Sequence, residues 1–248
     1  IRIAEVTTEQ PSPFASSLLF NYTGAFMYEG DSPLAEKRAA ALALDPALLA
    51  KLLGTVELRE LLDAEIIAEV HAQLQRTTPE RQARTTEEVA DLLRVLGPIP
   101  VDELGVHATV PLRALDALGA RIMRVRINGR EHVAQALDAP LLRDGLGIPV
   151  PPGIPAQQAT VTDAVDQLVS RWARTRGPFV ARDVQEAFGL SAAVAHSTLN
   201  GLNSIVAGHY RQGVEEQEYC AAEVLKVIRS RSLAAARAAT QPVSPAAF

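Results

Sequence analysis

The sequence predicts a mainly α fold with small β-wings: a helical N-terminal segment followed by tandem winged-helix domains. Three observations carry that expectation. Val161, Val165, Leu168, Val169 and Trp172 recur at three- and four-residue spacing, the signature of one apolar helix face. A Gly-Pro break follows at Gly177-Pro178, and the same break stands 80 residues earlier at Gly97-Pro98. Asn128-Gly129 separates two strand-like runs, and both central residues of a tight hairpin turn need positive φ. Helix, short strand, helix, turn, helix and two-stranded flap is the order of a winged helix, and its appearance on both sides of residue 150 reads as a repeated module.

Taken in order, residues 1–9 alternate apolar and polar side chains, as a strand would, but without partners that could satisfy its backbone. Phe14, Leu18, Tyr22 and Phe26 recur every four residues, with Leu19 beside them, and form a helical stripe suited to packing, the expected surface for docking to a missing core. Ser32 and Pro33 are an N-cap and first-turn pair for a helical stretch over 33–53, and Asp45-Pro46 divides it. Asp63 starts a further helix to about Gln75. Residues 1–76 are thus read as a helical segment and 77–84 as a polar linker.

The first module spans 85–147. Its helix ends at Leu96, short helices lie near 101–104 and 110–118, the flap rises over 121–127 and returns over 131–134, and a helix leaves over 140–146. Residues 148–159 are rich in proline and read as a semi-rigid spacer. The second module spans 160–231. Helices are expected over 181–188 and 191–203, the latter capped by Ser191, with strands at 205–207 and 215–220 and a loop containing Gly213 between them. The outgoing helix begins at 221, and 232–248 are read as its continuation and a tail. A start at Ile1 without methionine suggests an excised piece of something longer.

Composition narrows the classes. One cysteine, Cys220, excludes an internal disulfide and a zinc cluster of cysteines. No apolar run reaches the roughly 18 residues that span a bilayer, and no signal peptide is evident, so a soluble cytoplasmic setting is expected. His71, His107, His132, His196 and His209 are scattered without metal-ligand spacing. Asp163 and Asp166 stand where carboxylates complement a helix dipole. No nucleophile, base and orienter set is present, so no catalytic, cofactor-binding or metal residue is assigned.

Charge qualifies the nucleic-acid expectation. The formal net charge is -5, whereas a free-standing nucleic-acid binder ordinarily carries a basic surplus. Two local clusters remain as candidate backbone contacts: Arg121, Arg124, Arg126 and Arg130 on the first flap, and Arg171, Arg174, Arg176 and Arg182 beside the second Gly-Pro break. Arg124 and Arg126 share one strand face, opposite Val125 and Ile127. That face reads either as a solvated surface or as a phosphate contact. The third helix of the second module offers Ser191, His196, Ser197 and Asn200 but no Arg or Lys, and its counterpart offers only Arg113.

Ser12 to Phe20, Tyr28-Glu29-Gly30-Asp31, Pro33-Leu34-Ala35-Glu36-Lys37-Arg38 and Glu57-Leu58-Arg59-Glu60-Leu61-Leu62-Asp63 resemble the region beyond the motor in bacterial large helicase-related (Lhr) proteins. Gly177-Pro178-Phe179, Ala222-Glu223-Val224-Leu225 and Arg231-Ser232-Leu233-Ala234-Ala235 resemble the winged-helix part of the same family. The resemblance implies a parent that is an ATP-dependent superfamily 2 DNA helicase or translocase with a role in DNA repair. Its two RecA-like motor domains are followed by a winged helix, a further domain and a long extension of tandem winged helices. ATP and Mg are implied for those motor domains only, because this chain has no Gly-x-x-x-x-Gly-Lys phosphate loop and no Asp-Glu-x-His motif. Family members also resemble winged-helix DNA glycosylases further along. Gln73-Leu74-Gln75 is superficially similar to a glutamine pair of such enzymes but falls in the wrong place.

The expected partners are DNA, through single-stranded or backbone contacts, the rest of the helicase chain, and a second copy of the chain if it forms homo-oligomers, with no membrane. A winged-helix transcription regulator and a pure oligomerisation platform are the competing classes.

Overall fold

The structure is a computed structural model that describes residues 61–154 and 160–239. The strand at 1–9, the aromatic stripe and the helices before residue 61 lie outside the described residues. The chain divides into a compact unit over Leu62–Ile228 and a second over Ile1–Leu61 with Arg229–Phe248. Both winged modules belong to the first of these.

Helix α1, Ala64–Gln75, starts at Asp63, whose side chain accepts from the N–H groups of Glu65 and Ile66. It ends at Arg76, which adopts left-handed φ of 54°. Helix α2, Thr86–Leu96, is capped by Thr85 and buries Val89, Ala90, Leu92, Leu93 and Leu96. These side chains form a core with Ile99, Leu104, Leu115, Leu118 and Val133. Removal of so many large aliphatic groups from water, at about 1.5–3 kcal/mol each, drives this module together.

Strands β1 (Ile99–Pro100), β2 (Ile122–Ile127) and β3 (Arg130–Gln135) form an antiparallel sheet in the order β1-β3-β2. Pro100 has no N–H to donate, and its strand occupies an edge where none is needed on the outer side. The hairpin turns at Asn128 and Gly129, with φ of 47° and 78°, and Ile127 pairs with Arg130. Helix α3 is Leu104–His107 and the outgoing helix α4 is Ala139–Leu146.

The regular third helix expected near 110–118 is corrected. Residues Leu112–Arg121 wind as 3-10 turns, broken at Gly119. Leu112, Leu115 and Leu118 are spaced strictly by three, the repeat that a 3-10 turn places on one side, and Leu115 and Leu118 are buried.

The second module repeats the plan with a regular third helix. Helix α5, Ala164–Ala173, buries Ala164, Leu168, Val169, Trp172 and Ala173. Strand β4 (Phe179–Val180), helix α6 (Ala181–Phe188), helix α7 (Ala192–Gly201), strands β5 (Ile205–Gly208) and β6 (Glu218–Ala221) and helix α8 (Ala222–Ala239) follow. Ser191 caps α7 through Val194 N–H. The sheet order is β4-β6-β5. Trp172 packs edge-on against Phe179 and Phe188, with ring centres 4.9 and 6.1 Å apart.

The modules are not held apart by a spacer. Helix α4 packs on α5. Arg171 donates through Nη1 and Nη2 to both carboxylate oxygens of Asp138, at 2.8 and 3.0 Å, and the Asp138 side chain is only 6% exposed. Asn128 at the tip of the first wing donates to the Glu186 carbonyl at 2.9 Å. Gln75 bridges both modules: its side chain donates to the Thr175 carbonyl at 2.7 Å, and its own carbonyl accepts from His107 Nδ1 at 2.7 Å. The stretch 77–84 is likewise packed, because Ala83 is buried and bridges to Ala108. Asp144 receives Arg143 at 2.7 Å and the Val161 N–H at 2.8 Å, which joins the end of the first module to the entrance of the second.

Arg171→Ala leaves the Asp138 carboxylate buried without its partner and should cost roughly 3 kcal/mol in urea unfolding. The paired change Arg171→Met with Asp138→Leu should recover most of that loss; an equal loss in both proteins would show that the ion pair is not what joins the modules. A second expectation concerns pH. The Arg143 guanidinium, then the Val161 N–H, hold the Asp144 carboxyl at about 2, below its ordinary 3.8. A depressed carboxyl contributes stability that is complete above its unfolded value and is lost as pH falls through the folded one. The lead of the native chain over Asp144→Asn in urea midpoint should therefore hold from neutral pH to about 3.8 and close by about 2. A lead of constant size across that range would refute the linkage.

Candidate nucleic-acid interface

The first wing presents its arginines through the pleat of β2. Met123, Val125 and Ile127 are buried, and Arg124 and Arg126 point to solvent between them. Arg126 stands opposite Glu131 in the register, yet the Glu131 carboxylate turns diagonally to Arg124, 3.3 Å from its Nη1. Both groups are about half exposed, so this pair is weak and readily exchanged for a phosphate. Arg126 makes no ion pair among the described residues.

The other two arginines of that cluster are more firmly held. Arg121 clamps Glu87 with two hydrogen bonds of 2.7 and 2.9 Å, and this holds the Glu87 carboxyl below the usual range. Arg130 Nη2 lies 2.8 Å from oxygens of both Asp102 and Glu103, and hydrogen bonding from Arg130 lowers Asp102 likewise. Glu87, Asp102, Glu103 and Glu131 of the first module are thus local counter-charges to its wing.

The second cluster does not form one exposed patch. Arg174 is exposed and makes no ion pair among the described residues. Arg182 is exposed and pairs with Glu216. Arg171 faces the first module, and its guanidinium is taken by Asp138, so it is not available to a nucleic acid at the surface. Arg176 turns inward across Trp172. Arg171 and Arg174, one helical turn apart, line a common surface hollow, whereas Arg176 turns toward Trp172 and Arg182 toward Glu216.

Helix α7 would lie in a groove if the second module read DNA by the usual route. With its cap Ser191, its exposed residues are Ala192, Ala193, Val194, His196, Ser197, Asn200 and Gly201, without one Arg or Lys. His196 instead lies 3.4 Å from the Tyr219 hydroxyl. Gln73, similar to a glycosylase glutamine in sequence only, bonds Glu69 one turn earlier in its own helix, and Gln75 is the structural bridge described above.

Some residues that organise the second wing carried no sequence signal. Glu218 has no solvent exposure; it accepts from the N–H groups of Tyr210 and Arg211, at 2.7 and 2.8 Å, and pairs with Arg211 Nε. Tyr210 lies against Gly208, where any Cβ would come within 2.7 Å of the phenol ring, and its hydroxyl donates to the Val206 carbonyl. Cys220 is buried beside this network and burial pushes its thiol up to about 12, so it is an inert core residue.

No group of three His, Cys, Asp or Glu side chains suited to a metal ion occurs among the described residues. Nor is any described helix long and apolar enough to cross a membrane.

Comparison with characterised proteins agrees with this architecture. The family model for the winged-helix domain of large helicase-related protein matches residues 60–161. The whole chain is 49% identical over 256 residues to a protein of Mycolicibacterium smegmatis named "Lhr helicase/ probable uracil glycosylase", and covers 17% of it. It is 37% identical over 259 residues to the "Lhr helicase/uracil glycosylase" of Escherichia coli K12, of which it covers 16%. The chain spans about a sixth of the length of these relatives. Along its full length the chain is thus similar to a part of large helicase-related (Lhr) proteins, and its residues 60–161 match the winged-helix domain of that family.

Proposed function

We propose that this chain is an accessory, non-motor region of an ATP-dependent DNA helicase or translocase that acts in DNA repair, and that it scaffolds the enzyme while touching the DNA backbone. The observation that carries this reading is the docking of two winged modules against each other, with exposed arginines on the first wing and no Arg or Lys on the third helix of the second module. Arg124 and Arg126 stand on one strand face at a spacing that suits successive phosphates. Arg174 and Arg182 extend the exposed basic surface. Backbone contact of that kind supplies affinity without sequence preference.

A sequence-reading regulator would ask more of α7 than it offers. Asn200 is suited to an adenine edge, but an isolated amide without neighbouring phosphate contacts provides little non-specific affinity to hold the helix in a groove. The relatives carry both a helicase and a uracil glycosylase in their names. In this proposal the present region spaces and orients such activities along one cytoplasmic polypeptide, and self-association of the chain is compatible with it.

Replacing Arg124 and Arg126 together by Ala should weaken binding of unrelated DNA sequences equally and lower the slope of log affinity against log salt by about 1 for each phosphate left unneutralised. Stability should move by no more than about 0.5 kcal/mol, because both side chains face solvent. Gel shifts across a salt series measure this, with thermal unfolding as control. An unchanged slope would remove the wing from the interface, and a strong preference for one sequence would favour the regulator.

A further inference from the structure

A cleft of about 370 Å³ opens between the two modules, where the Gly-Pro break of each faces the other. Its volume falls at the small end of the range of about 300–1,000 Å³ typical of small-molecule sites. The polar part of its lining includes His71, Arg130, His132, Arg176 and Arg211, and Trp172 forms part of its floor.

Arg176 gives the cleft its character. Its guanidinium carbon lies 3.3 Å from the centre of the Trp172 ring, and its Nε donates to the Trp172 carbonyl at 3.0 Å. Trp172 cannot yield, because Phe179 and Phe188 pack against it. The two terminal nitrogens of Arg176 have no carboxylate partner among the described residues. The nearest acids are already engaged: Glu103 receives Arg130, and Asp183 accepts the Val180 N–H at 3.0 Å. Glu186 also lines the cleft. Burial lowers the Arg176 guanidinium to about 9, so it remains charged at neutral pH while stripped of much of its water.

Asp183 and Glu103 attract this cation across the cleft, but neither forms an ion pair with it, and a desolvated cation without a bonded carboxylate is costly to keep. Its planar fork, pinned on one side by a ring and a carbonyl, is preorganised for an oxyanion arriving from the cleft. His71 at the rim accepts the Gly177 N–H at its Nδ1, 3.2 Å away, which leaves Nε2 as the ring's donor. Arg211 stands nearby, held at its Nε by Glu218.

We propose that this inter-module cleft is a phosphate site, in which Arg176, with His71 and Arg211 beside it, receives a phosphate group from a nucleic-acid backbone or from a free phosphate compound. The lining shares Arg130 with the wing but neither Arg124 nor Arg126, and the proposal does not require that those two touch DNA.

Trp172 is the only tryptophan of the chain and lies under Arg176, so its emission reports on the cleft alone. The 248-residue chain would be titrated with a labelled short oligothymidylate and, separately, with inorganic pyrophosphate, reading Trp172 emission together with anisotropy of the label. A saturable change in emission is expected in the native chain and in Arg126→Ala, with at least a roughly tenfold weaker response in Arg176→Gln. Response to pyrophosphate alone identifies a free phosphate compound as the source; response to the oligonucleotide, displaced by pyrophosphate, identifies the backbone. Rising anisotropy with silent Trp172 overturns the cleft and leaves DNA binding elsewhere standing. Silence toward both probes, or an undiminished response in Arg176→Gln, also overturns it. Should circular dichroism show that variant unfolded, failure of pyrophosphate either to change Trp172 emission or to displace the oligonucleotide response in the native chain decides against the site.

Discussion

The pairing of Arg171 with Asp138 fixes how the two winged modules meet, and most other features of the compact unit depend on that meeting. The carboxylate is almost fully withdrawn from water, and both its oxygens are taken by one guanidinium. Such a pair contributes little net stability compared with an apolar substitute, but it tolerates almost no change of distance or angle. It therefore acts as a register mark between α4 and α5. Gln75 and Asn128 then reach carbonyls of the second module that would otherwise be out of range.

Docking also changes what the modules can do. A lone winged helix offers its third helix and its wing to a partner. Here the tip of the first wing is occupied by the second module, through Asn128 and the Glu186 carbonyl, while the outer face of β2 remains exposed. The same docking brings His71, Arg130, His132, Arg176 and Arg211 around one cleft, although they come from distant parts of the chain. Charge is distributed accordingly. Acids of the first module neutralise Arg121 and Arg130, while Arg126 and Arg174 are exposed without ion pairs among the described residues.

The repeated architecture was legible because it rests on local rules. Apolar spacing marked α2 and α5, Ser191 marked the start of α7, Asn128-Gly129 marked the hairpin, and the alternation of β2 placed Arg124 and Arg126 outward. The 3-10 turns over Leu112–Arg121 were misread as a regular helix, although the three-residue spacing of Leu112, Leu115 and Leu118 was available as a signal. The arginines near the second Gly-Pro break were read as one patch because they are neighbours in sequence. Their surroundings differ, since Arg171 pairs with Asp138, Arg174 is exposed and Arg176 covers Trp172, and nothing local distinguishes a solvent-facing arginine from one that will find a carboxylate or a ring.

By itself the sequence determined the type of module, its repetition and the face of the first wing that carries cation, because helix period, strand alternation and turn chemistry act over a few residues. Tertiary structure alone decided that the modules abut, that Gln75 joins them and that Arg176 lies in a cleft without an ion-pair partner among the described residues. Those outcomes depend on contacts between residues tens of positions apart, such as the 33 separating Asp138 from Arg171 and the 100 separating Gln75 from Thr175. No periodicity encodes such pairs; they follow from the shape and polarity of two assembled surfaces.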